Sequence, residues 1–153
     1  MATFIVIYST VLIFWLVIIF SKKNLSRIEM YSTSLFALVF ELIANIYLDL
    51  KYDLYGYFDK GPDWRTLPTL ILIFPAVNLL FLNFYPFTRS KTIQLIYILI
   101  CSIIGVVFEW IYIQTDFFYH NEWKLRYSLV SYPFIFYILT LNIRYIRKMI
   151  NNK

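Results

Sequence analysis

Two glutamates, Glu41 and Glu109, lie deep inside apolar stretches of this sequence, and each marks a place where chemistry could occur. An ionisable side chain at the centre of a bilayer costs roughly 2.5 to 3.5 kcal/mol, so such a group normally faces protein or water. Glu41, Asn45, Asp49 and Asp53 recur every four residues, which places them along one stripe of a helix. Ser102, Gly105, Glu109, Tyr112 and Asp116 recur at three or four and form a second stripe. The expected ligand-binding residues are therefore Glu41, Asn45, Asp49, Glu109, Tyr112 and Asp116. Glu41 and Glu109 would hold the charge, Asn45 and Tyr112 would orient it, and Asp49 and Asp116 would attract ligand at the mouth. Carboxylates packed this closely repel one another, so they require protons, a bound cation or basic neighbours. Lys51, Arg65, Lys124 and Arg126 are the candidates for that last role. Gly105, one turn before Glu109, would let another helix approach or leave room for a ligand.

Other chemistries find less material. His120 is the only histidine, with Asp116 one helical turn before it and Glu122 two positions after, but no nucleophile turn accompanies it. Asp116, His120 and Glu122 are weak candidate metal ligands whose spacing fits no known signature, so no metal is expected. There is no Gly-rich phosphate loop, no HExxH and no paired-cysteine motif, and no cofactor is expected. Binding is favoured over catalysis.

The elements that must hold these residues follow from composition. Of 153 residues, 61% are apolar and 15% charged, and the mean hydropathy is +0.67. This excludes a disordered tail, a collagen-like rod and a disulfide scaffold, the last because Cys101 is the only cysteine. A hydrocarbon core about 30 Å thick takes roughly 20 apolar residues per helix. Five stretches qualify, at 4–20, 30–48, 67–84, 93–113 and 127–143. Runs such as LIFWLVIIF do not alternate, so they are not strands of a membrane barrel. The fold class is thus all-α, a single domain over 1–153 built as a transmembrane bundle of five helices with short loops. The first stretch reads as a retained helix, because Lys22, Lys23 and Arg27 follow it rather than precede it.

Cationic residues near helix ends prefer the cytoplasm. With the N-terminus outside, the inner side holds Lys22, Lys23, Arg27, Arg89, Lys91, Arg144, Arg147, Lys148 and Lys153, nine in all, against five outside: Lys51, Lys60, Arg65, Lys124 and Arg126. A multi-pass protein of the cell membrane with its C-terminus in the cytoplasm is expected. The net charge of +5 then reflects this basic rim and a lipid bilayer as partner, rather than a nucleic-acid surface.

Residues 50–66, LKYDLYGYFDKGPDWRT, and 114–127, QTDFFYHNEWKLRY, mix aromatics with charges. Trp and Tyr suit membrane interfaces, while Gly56, Gly61 and Pro62 permit a tight turn. A small, structured, aromatic-rich cap over the outer helix ends is expected. Pro68 suits the first turn of a helix and Pro86 an end, whereas Pro75 and Pro133 fall within spans and would kink them. Asn78, one turn from Pro75, could face the same interior.

The stretch KYDLYGYF at Lys51 to Phe58, followed by Gly61 and Asp63-Trp64, together with Glu109, Glu122-Trp123-Lys124 and Tyr127-Ser128, resembles a family of small multi-pass membrane proteins of spore-forming Gram-positive bacteria. The resemblance covers most of the chain and implies a membrane fold. That family has no assigned activity, so no role transfers to any residue. Three functions stay open on the sequence: an outward-facing acidic and aromatic pocket for a cation, a proton or a small ligand; a helper subunit or envelope component docking a membrane protein partner or a second copy; and a membrane-embedded enzyme acting on a lipid or isoprenoid, with Glu109 as acid or base.

Overall fold

The computed structural model describes residues 2–152, with the side chain of Ala2 outside the description. Lys153, counted above in the basic rim, lies outside the described residues. Five helices dominate the fold: α1 (Ala2–Phe20), α2 (Arg27–Asn45), α3 (Thr66–Phe84), α4 (Lys91–Ile113) and α5 (Leu125–Asn151). Each is long and apolar enough to cross a membrane. Two three-residue strands, β1 (Tyr55–Tyr57) and β2 (Phe118–His120), are the only sheet among the described residues.

The helix boundaries are set by caps that the apolar count does not register. Ser26 starts α2 with a capping box: the Glu29 amide donates to Ser26 Oγ at 3.3 Å, and the Ser26 amide donates to Glu29 Oε2 at 2.6 Å. Ser90 accepts from the Ile93 amide and starts α4 two residues ahead of the expected Ile93. The largest difference is in α5, which was expected to stop at Ile143 and instead runs to Asn151. A span ends where the apolar requirement ends, whereas a helix continues as long as its backbone bonds are favourable. Arg144, Arg147 and Lys148 are good helix formers. Pro68 occupies the first turn of α3 and Pro86 follows its end, while Pro75 and Pro133 are carried inside α3 and α5.

Successive helices alternate in direction. The Thr3 hydroxyl donates to Asp116 at 3.2 Å, so the start of α1 meets the end of α4. At the opposite end, here termed the base, Asn83 in the last turn of α3 accepts the Asn24 amide at 2.8 Å, and Glu29 pairs with Arg147 at 2.6 Å. Arg147 also covers the Phe87 ring at 4.1 Å, and Arg144 donates to Gln94 at 2.7 Å. These bonds tie all the base loops together and neutralise Glu29, the only acid there.

The other end carries a cap. Strands β1 and β2 pair antiparallel with Tyr55 opposite His120, Gly56 opposite Tyr119 and Tyr57 opposite Phe118. The Leu54 carbonyl accepts from the amides of Asn121, Glu122 and Trp123 at 2.9 to 3.2 Å, and the Phe58 amide donates to Phe117. Two long-range loops are thereby locked into one unit. Its glycines do different work: Gly56 lies under the Tyr119 ring, and Gly61 has φ +94, a backbone angle that L side chains resist. Phe58 adopts φ 54 despite its bulk. It is held there by Phe4 at 5.7 Å, Phe117 at 5.3 Å and the Arg65 guanidinium at 4.8 Å.

Candidate functional site

Below the cap lies a cavity of about 470 Å³ lined by residues of all five helices and of both cap loops. Its walls are mainly aromatic and aliphatic, and Glu41, Glu109 and Tyr112 all line it. The two deep carboxyls thus share one cavity, α2 supplying Glu41 and α4 supplying Glu109. No Lys or Arg among the described residues lines it.

Asn45, one turn above Glu41, is buried and accepts from the Tyr55 hydroxyl at 3.0 Å. Asp49 and Asp116, expected at the mouth, are not among the lining residues. After Asn45, α2 widens into a π-helical turn at Ile46–Lys51, with the Tyr52 amide reaching back five residues to Tyr47 at 3.0 Å. Asp49 lies within this wider turn, and the four-residue repeat does not continue through it to Asp53. Asp53 instead pairs with Lys60. Helix α4 ends at Ile113, three residues before Asp116, which turns outward to Thr3 of α1.

Three of the four expected basic neighbours are engaged elsewhere, and Lys124 does not line the cavity. Arg65 pairs with Asp59 and Asp63, and its guanidinium holds the Asp63 carboxyl below the usual carboxylate range. Lys51 covers the rings of Tyr47 and Tyr52, and Arg126 that of Tyr127. Neutral donors take their place. Ser128 donates to Glu109 Oε1 at 2.7 Å, and Tyr132 donates to Oε2. His120 Nε2 stands 2.8 Å from Oε1, although not aligned for a hydrogen bond. Trp123 donates to Ser128 Oγ at 2.8 Å, extending the network into the cap. Glu41 is served less well, by the Tyr57 hydroxyl at 3.3 Å. Burial pushes the phenols of Tyr55 and Tyr57 far above their ordinary range, so both remain hydrogen-bond donors.

Ser128, Glu109 and His120 invite comparison with a hydrolytic triad, but the order is wrong. A triad places the base between nucleophile and acid, whereas here the acid lies between the serine and the histidine. The serine is not activated by the imidazole. Nor do three or more His, Cys, Asp or Glu side chains gather as a metal-binding group among the described residues, so Asp116, His120 and Glu122 are not brought together as ligands.

Ser128, Tyr132, Trp123, Tyr55 and Tyr57 were not singled out as site residues from the sequence. Two signals for them exist: Ser128 and Tyr132 are four apart on one face of α5, and Tyr55 and Tyr57 alternate on one face of β1. The Tyr132 ring packs 3.1 Å from where a Gly105 Cβ would stand, which is the close approach expected of that glycine. Asn78 is 1% exposed, lines the cavity, and has neither amide atom in a hydrogen bond. Leaving such a group unpaired costs roughly 1 to 3 kcal/mol. Comparison with protein families, with curated proteins and with solved structures found no match to this chain.

Proposed function

We propose that the chain is a five-span membrane protein whose cap-covered, outward-facing cavity binds a small lipophilic cation. The observation that carries this reading is the pair of carboxyls, Glu41 and Glu109, in one largely aromatic cavity with no Lys or Arg in its lining. Glu109 is occupied by its own donors, so Glu41, with one long hydrogen bond, is the charge left for a ligand. The rings of Tyr55, Tyr57, Phe118 and Trp123 supply faces that attract an organic cation. Support for a bilayer setting comes from the bundle exterior, where Ile5, Leu12, Ile19, Ile103, Val130 and Phe134 are each more than half exposed. The segments that carry the family resemblance are β1 and the network of Glu109, Trp123 and Ser128, so a shared family would share this cap.

Tetraphenylphosphonium is a suitable probe, since it is apolar, permanently charged and bound by aromatic faces. In equilibrium dialysis of the purified protein it binds at one site, and Glu41→Gln weakens it about tenfold or more. Equal affinity in wild type and Glu41→Gln, or no binding to either, rules the reading out.

Orientation has its own test. The nine-to-five distribution of Lys and Arg supports a cytoplasmic base and an external cap. A reporter fused after Lys153 is therefore active only in the cytoplasmic form, and one inserted beside Lys60 only in the external form. A cytoplasmic Lys60 site reverses the topology.

A further inference from the structure

We propose that Asn78 determines the specificity of this cavity by pairing with a carboxamide on the ligand, which is therefore an amine at one end and an amide at the other. The inference rests on the cavity reading above and adds the second half of the ligand. Asn78 is the only carboxamide side chain among the lining residues, and both its nitrogen and its oxygen are buried without a partner. A helix interior offers no reason for a fully buried, unpaired amide, since an apolar residue would pack there at lower cost. A ligand group with a C=O and an adjacent N–H satisfies both atoms at once: Nδ2 donates to the ligand carbonyl and Oδ1 accepts from its N–H.

The position fixes the ligand's shape. Asn78 is five residues nearer the base than Ile73, about 7.5 Å along α3. Ile73 packs in the same cluster as Tyr55 and Tyr57, and Tyr57 is bonded to Glu41. The amide thus lies nearer the base than the aromatic cluster under the cap, with Phe74, Val77, Leu80 and Phe81 lining the same cavity. A short apolar chain between the cationic and amide ends spans that interval.

The test uses two amines titrated calorimetrically into the full chain in detergent: ω-aminooctanamide and its hydrocarbon isostere, in which isopropyl replaces the carboxamide. Asn78→Leu lowers affinity for the amide probe about tenfold relative to the isostere. Glu41→Gln weakens both probes. Asn78→Ala is the second variant should Leu disturb folding, with helical circular dichroism as the check. An unchanged amide-to-isostere ratio in either folded variant overturns the role of Asn78 and leaves a trapped water as its partner, while the cavity reading stands. Failure of wild type to bind either amine overturns both.

Discussion

Glu109→Ala is expected to be the most damaging single change in the protein, lowering stability by about 3 to 5 kcal/mol. One carboxylate accepts from Ser128 and Tyr132 and stands against His120, and Ser128 in turn accepts from Trp123. Its removal leaves polar groups without a counterpart on α5 and on the β2 side of the cap. Melting in detergent falls by roughly 10 °C, and protease cutting rises between Phe117 and Arg126, because β2 loses its anchor to α4. Glu109→Gln keeps one acceptor oxygen and the side-chain volume, so it loses much less. If Ala and Gln variants melt alike, Glu109 is not the hub described here.

The second large effect belongs to the cap. A Cβ on Gly56 would lie 2.5 Å from Tyr119 Cζ and 2.9 Å from Cε1, so Gly56→Val must expel the Tyr119 ring from the face of the strand pair. Tyr119 then ceases to shield the ladder that holds Tyr55 and Tyr57 over the cavity. A loss of about 2 kcal/mol is expected, with faster proteolysis between Lys51 and Arg65. A Cβ on Gly61 meets no atom within 4 Å, so the main cost of Gly61→Val is conformational, about 1 kcal/mol from φ +94. The order, Gly56 worse than Gly61, separates a folded cap from a plain aromatic belt, for which both substitutions would be neutral.

The spans could be read from sequence because a bilayer demands some 20 apolar residues, and that demand is local. It said nothing of where α5 ends, since Arg144 to Asn151 extend a helix without extending the apolar run. The cap was legible in part: Gly56 and Gly61 and the aromatic-charged alternation mark a folded loop, but the pairing of Tyr55 with His120 joins positions 65 residues apart, and no local pattern encodes it. The acids show the same division. Glu41 and Glu109 were found because a buried charge is conspicuous in an apolar run. Asp49 and Asp116 came from extending a helical repeat, and in the fold Asp49 lies in the π turn while Asp116 lies three residues past the stop at Ile113. The partners of Glu109 come from another helix and from the cap, and they become visible only when α4 and α5 are side by side.

The central claim, a cavity whose free acid holds a lipophilic cation, is tested most directly by native mass spectrometry of the protein extracted gently from its own membrane. Wild type is expected to carry one small cationic molecule that dissociates on activation, and Glu41→Gln, folded and capped, is expected to appear without it. Identical masses for the two proteins, whether empty or carrying the same phospholipid, would contradict the account.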